Sequence, residues 1–419
     1  MIETDSKKDT LQRLTDYRTK NAQLGTLREP ARTELRRSLN KERNQAVKLL
    51  TEQTLLNTLN ATDAQHEELV WFWFNHFNVF WQKGLVGAAL PDYLNRAIEP
   101  HVTGPFANLL LATLKHPAML TYLDNTANVA GKLNENYARE LMELHTLGVS
   151  GGYNQADVRE VAHMLAGCGL RPLTKDPEVP ARLQAFLYVD GAFMFDPRRH
   201  EFALRKPLGI EIKDKGYAGV QALVNLLAAH PATAKHIVGK LAVYLLGGAP
   251  PAAAVQAAEK VFLSTRGDLG KTTDSLRAHA STIPSRTRSF KAPYRYVVSS
   301  LRLLGAGQRF KNAQPVGRWV SGLGQPLFGR RTPDGYSLMG ADWLSAGQLT
   351  QRFDLAREMV ETTPRLLERP VDTRDMLASA QAQKLKSRLG PTTLAAIQKA
   401  EDDATRMALM LSSPEFMYD

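Results

Sequence analysis

The sequence predicts a mainly α, multi-helical globular fold with a small β-hairpin insertion around residues 183–203. Three observations carry this. Apolar residues such as Leu39, Val47 and Leu50 recur at helical spacing in an otherwise polar N-terminal stretch. The segment "EELVWFWFNHFNVFW", residues 67–81, is apolar almost all round and so belongs inside a helical core. Strand signals concentrate around residues 171–215, where "AFLYVDGAFMF" sets Asp190-Gly191 between β-prone runs, a hairpin signature.

Taken in order, residues 1–60 read as N-terminal polar helices. Residues 61–305 form a helical core interrupted by the insertion at 171–215, and residues 306–419 a loop-rich segment with C-terminal helices packed on the core. Pro91, Pro100, Pro105 and Pro117 stand where helices can start or stop. Glycines 148, 151 and 152 mark a turn, after which Asn154 and Asp157 have the spacing of a capping box. Residues 216–264 return to helix, with Pro250-Pro251 punctuating a loop. The stretch "GLGQPLFGRRTPDGYSLMGADW", residues 322–343, is long for a connection, and its aromatic residues argue for order and a functional role.

Composition is that of a soluble globular chain: 43% hydrophobic and 23% charged residues. Lys plus Arg number 53 against 42 Asp plus Glu, a net +11 that would favour an anionic partner such as nucleic acid, an acidic glycan or lipid headgroups, but the basic excess is spread along the chain as on an ordinary solvated surface. Residues 1–50 carry 12 basic and 7 acidic residues, a mild bias without the stripe that a nucleic-acid reader shows. The one cysteine, Cys168, excludes an internal disulfide and a multi-cysteine zinc site, and its apolar setting makes it a packing residue. The start "MIETDSKKDT" has no signal-peptide h-region, and no run of 18 apolar residues suggests a transmembrane segment. "GDLGKT" at 267–272 lacks the first glycine of a P-loop, and no G-x-S-x-G, G-x-G-x-x-G or H-E-x-x-H occurs.

Chemistry concentrates in "NENYARELMELHTLGVSGGYNQADVREVAHMLAG", residues 134–167. On a helical wheel, Leu133, Tyr137, Leu141, Leu144 and Leu147 define an apolar face with Glu140 in its middle. Glu135, Arg139, Met142 and Thr146 fall on the opposite, wet side. Asn136 and Glu143 flank Glu140, while His145 and Asn134 share the other edge. A carboxylate on a core-facing position must be paired, coordinated or protonated. His76 likewise lies between Leu69, Phe72 and Phe80 on its own helix. These residues form either a buried network that fixes helix register or a site of metal ligands or acid/base groups. Glu140 and Glu143, joined by His76 or His200, would make a hard O/N site for a divalent metal. Glu160 and His163 have Glu-x-x-His spacing, a weak signal alone. His200 sits in the polar loop "DPRRHEFALRKPLG", and His66, His101, His116, His230, His236 and His279 have no special context.

With "FNHFNVFW", "HPAMLTYLDN", "NENYARELMELHTLGVSGGYNQADV" and "LGQPLFGRRTPDGY" in this order, the chain resembles the bacterial family catalogued as domain of unknown function 1800. The resemblance runs from about residue 65 to the C-terminus. It implies no established activity. It does imply a periplasmic or extracellular location, since members are typically exported, and a sulfatase-like envelope protein as a neighbour. The residues matching the family motifs are His76, Asn134, Glu135, Asn136, Arg139, Glu140, Glu143, His145, Gly151, Gly152, His200 and Lys206. Departures from the usual pattern are Ala166-Gly167-Cys168 for Thr-Gly-Trp, His163 for Arg, and His200-Glu201 for His-Asp.

The expectation is therefore an envelope enzyme with a pocket built by the His76 helix, the Glu140 helix and the His200 loop. Glu140 serves as ligand or general base, and His76 and His200 as ligands or proton carriers. Arg139, Lys206 and Asn136 hold an anionic polymer or glycan for metal-assisted or acid/base hydrolysis. The alternative is a non-catalytic binding or assembly protein whose polar groups saturate one another.

Overall fold

A computed structural model describes residues 7–173, 175–213, 215–280 and 289–418. The architecture is multi-helical with a small antiparallel sheet, as the periodicity predicts. Two polar helices, Lys7–Gln23 and Ala31–Asn60, lead into Ala64–His76. Asp63 starts this third helix by accepting the Gln65 and His66 amides, and every residue from Leu69 to His76 is buried. A segment apolar on all sides can be satisfied only by neighbours on all sides. They are supplied by the rings of Phe77, Phe106, Tyr244, Tyr294 and Phe328.

Two further helices begin at His-Pro. In Pro117–Tyr122 and Pro231–Leu246, the preceding histidine, His116 or His230, accepts an amide two residues on through Nδ1. Proline at the first helical position costs no hydrogen bond there. The His116 Nε2–H is then free to donate to buried Asp92, 3.0 Å away. The capping box of Asn154 and Asp157 forms and opens Gln155–Leu165.

The hairpin lies where the Asp190-Gly191 signal places it. Strand β2 (Tyr188–Asp190) pairs with β3 (Phe193–Phe195), Asp190 opposite Phe193. A strand not expected from the sequence, β1 (Cys168–Leu170), pairs with the other edge of β3. Cys168 is buried there among apolar neighbours. Strands β4 (Leu204–Arg205) and β5 (Ile212–Lys213) make a second, two-stranded sheet.

The motif helix departs from a continuous α-wheel. It is α-helical only over Asn136–Glu140 and widens to a π-helix over Leu141–His145. The wider turn shifts every later side chain around the axis. Met142 and Thr146, expected on the wet side, are fully buried, whereas Glu140, expected in the middle of the buried face, is only half-buried. Thr146 Oγ1 donates to the Leu141 carbonyl at 2.7 Å, satisfying a group that the distorted turn leaves open.

The long loop is ordered and carries little helix between Gln314–Gly322 and the short turn Gly340–Trp343. Side chains from the core hold it by its backbone. Asn75 both donates to the Tyr336 carbonyl (2.9 Å) and accepts the Tyr336 amide (2.7 Å). Asn78 donates to the carbonyls of Arg330 and Thr332, and the Tyr122 hydroxyl to that of Arg331. Gly335 sits at φ +75, and a Cβ there would stand 2.2 Å from the Asn75 carbonyl oxygen, so only glycine allows this approach. Among the described residues no helix is long and apolar enough to cross a membrane.

Candidate functional site

His76, at the end of the central helix, meets two histidines from different parts of the chain. Its ring centroid lies 6.1 Å from that of His145 and 6.2 Å from that of His236. His76 and His145 are each only 1% exposed. His76 Nε2–H donates to the His145 carbonyl (3.2 Å) and His236 Nε2–H to the Leu144 carbonyl (3.1 Å). Both acceptors are carbonyls in or beside the π-turn. In neutral His76 this leaves Nδ1 as a bare acceptor, and neither it nor His145 Nε2 has a partner. Gly148, at φ +81, makes room for the trio, because a Cβ there would stand 2.8 Å from His236 Nδ1.

Beside the trio lies Lys240, one turn beyond His236 on the helix Pro231–Leu246. It is half-buried and makes no hydrogen bond or ion pair among the described residues. Burial pulls its ammonium down to about 8, Asp334 opposing. The same burial, with the Lys240 charge next in weight, drives His76 well below its ordinary range and His145 down to about 3. His236 is lowered for the same two reasons. At neutral pH the cluster is thus three neutral imidazoles around one cation.

Glu140 and Glu143 lie on the outer side of the motif helix, both half-buried and without a hydrogen bond or ion pair among the described residues. Burial, then repulsion by Glu143, raises the Glu140 carboxyl above the usual carboxylate range; Arg139 works against the shift and Asp334 with it. Asp334, on the clamped loop, is pushed up by burial, but hydrogen bonds from Thr332 and Arg330 outweigh this and hold it low. Asp334 acts on Glu140, Tyr122 and Lys240 alike, and so links the carboxylate and lysine sides of the region. A carboxyl shifted up and an amine shifted down near one fixed carboxylate is the arrangement that acid/base chemistry needs.

The other expected residues are engaged elsewhere. Asn136 donates to the Leu123 carbonyl while its amide is accepted by Asn134, so the motif's asparagines pin the chain at the helix start. Arg139 joins Glu135 and Gln155 in a surface network. His200 is buried against Phe195 and Phe202, with Nδ1–H donating to the Ala166 carbonyl at 2.6 Å. Lys206 pairs with Glu211 at the surface, and Glu160 accepts the Lys206 amide. Two departures from the family pattern meet: His163 Nδ1 lies 3.2 Å from Glu201. Among the described residues no group of three or more His, Cys, Asp or Glu side chains is placed to hold a metal ion, the expected set of Glu140, Glu143, His76 and His200 included.

Lys240, His236 and Asp334 do not emerge from motif reading. For Lys240 a signal exists, since Ile237, Leu241 and Tyr244 share its helix face and all are buried. A family model described as "Protein of unknown function (DUF1800)" matches residues 2–418, which extends the resemblance over the whole chain. No curated protein and no solved structure matches.

Proposed function

The chain belongs to the DUF1800 family of proteins of unknown function, and we propose that it is an acid/base enzyme of the bacterial envelope that hydrolyses an anionic polymer or glycan. Lys240 is the observation that carries this reading: a half-buried, unpaired ammonium held down to about 8 beside three neutral imidazoles, with Asp334 acting on both it and Glu140. A lysine serving stability alone would be better replaced by an apolar side chain, because a desolvated and unpaired charge costs free energy. Its presence there suits an anionic substrate that completes the missing pair.

The working form has Glu140 ionised and Lys240 protonated. Glu140 takes a proton from water as the water oxygen bonds to the scissile centre, and Lys240 gives a proton to the departing oxygen. Each fragment leaves with a hydroxyl. The envelope location rests on the family resemblance and is checked by cell fractionation.

The test is release of reducing ends from sulfated and uronate-rich glycans by the full chain. Turnover should rise above the usual carboxylate range, fall above pH 8, and drop about 100-fold in Glu140→Gln with the circular dichroism spectrum retained. Lys240→Arg keeps the positive charge but should lose turnover at every pH, because a guanidinium does not give up its proton. No turnover on any glycan, or turnover untouched by Glu140→Gln, would return the region to architecture. The asparagines, which bond mainly to backbone, already favour that role for themselves.

A further inference from the structure

A cleft of about 570 Å³ opens between the N-terminal helices and the core. It falls within the range of small-molecule sites, about 300–1,000 Å³. Three arginines line it, Arg36, Arg43 and Arg199, and no Asp or Glu does. We propose that this cleft binds the phosphate or sulfate ester of a sugar.

The case is one of unsatisfied charge. Arg36 and Arg43 make no hydrogen bond or ion pair among the described residues. Arg43 lies over the Trp81 ring at 5.5 Å, and its Nε is enclosed without an acceptor. Arg199 spends Nη2 on the Thr126 carbonyl at 2.6 Å and has no ion pair among the described residues. Glu29 acts on Arg36 and Asp196 on Arg199 from outside the cleft, but no carboxylate lines it, so an anion that enters meets net positive charge. Phosphate and sulfate oxygens match the planar fork of a guanidinium, which binds them through paired hydrogen bonds. Tyr17 and Asn40, which also line the cleft, add uncharged groups that a sugar hydroxyl can meet. None of these residues belongs to the Glu140 region, so the inference stands apart from the hydrolase reading.

Calorimetric titration of the full chain with hexose 6-phosphate, inorganic phosphate and inorganic sulfate tests it. One saturable event is expected, weakened at least 10-fold by Arg36→Gln and by Arg43→Gln and weakened by added sodium chloride. Arg36 is exposed, so its variant folds even if the Arg43 variant does not. Glu140→Gln should bind as the parent does, which separates this site from catalysis. Tighter binding of hexose 6-phosphate supports a sugar ester. Equal binding of the inorganic ions supports the anion site and overturns the sugar. Absence of saturable binding, or equal weakening by the distant exposed Arg374→Gln, overturns the site itself.

Discussion

Lys240 is the residue whose burial has the clearest consequence for the molecule. Its amine is held at about 8 in the folded chain, below the ordinary value of 10.5, so between these values the unfolded chain binds more protons than the folded one. Stability therefore rises with pH across that window, and the penalty of burying the charge is fully present below pH 8. The expected size is up to ~3 kcal/mol. Urea midpoints at pH 7.5 and 9.5 should rise for the parent and rise less for Lys240→Met, with the variant the more stable at pH 7.5. An equal pH response in both would show that Lys240 is solvated in the folded state. The wheel singles out Glu140 by its place among leucines, although the structure leaves it only half-buried, and Lys240 lies among buried apolar residues on its own helix. Spacing identifies the face from which a lysine starts, but four flexible methylenes decide where its charge ends.

At the scale of elements, local signals worked where the backbone is regular. The apolar run became the central helix, Asn154 and Asp157 closed a capping box, and Asp190-Gly191 marked the hairpin. They failed at the π-turn, because a wheel of about 100° per residue assumes i to i−4 bonding throughout. One widened turn was enough to bury Met142 and Thr146 and to bring the carbonyls of Leu144 and His145 to the two histidines. The loop clamp was also hidden, since Asn75 and Tyr336 are 261 residues apart in the chain. Asn75→Ala deletes both bonds to Tyr336 and should cost roughly 2–3 kcal/mol, as each buried hydrogen bond contributes about 1 net and the orphaned groups add to the loss. Amide exchange over residues 326–343 should quicken while the rest of the core stays protected. Unchanged exchange in that loop would mean that Asn78 and Tyr122 hold it without Asn75.

For the whole molecule, the sequence suggests three successive segments, and buried and part-buried hydrogen bonds cross between them. The helix Ala31–Asn60 packs on both Gln314–Gly322 and Pro293–Leu304. At its end Thr58 Oγ1 and the Tyr294 hydroxyl are 2.9 Å apart, and Arg302 donates to the Thr58 carbonyl. Asn60 donates to the Phe310 carbonyl and accepts the Phe310 amide, at 2.9 and 2.8 Å. These groups are buried or part-buried, so separating the segments would strip hydrogen bonds and open one continuous hydrophobic cluster to water. In urea, far-ultraviolet circular dichroism and tryptophan fluorescence should therefore trace one coincident transition. Trp71 and Trp73 report on the central helix and Trp319 on the helix packed against Ala31–Asn60, so fluorescence follows the core side of the contact while circular dichroism follows the helices on both sides. Asn60→Ala should lower both midpoints together. A first phase that removes helix signal while fluorescence holds would show that the N-terminal helices unfold alone, and that the bonds at Thr58 and Asn60 do not couple them to the core.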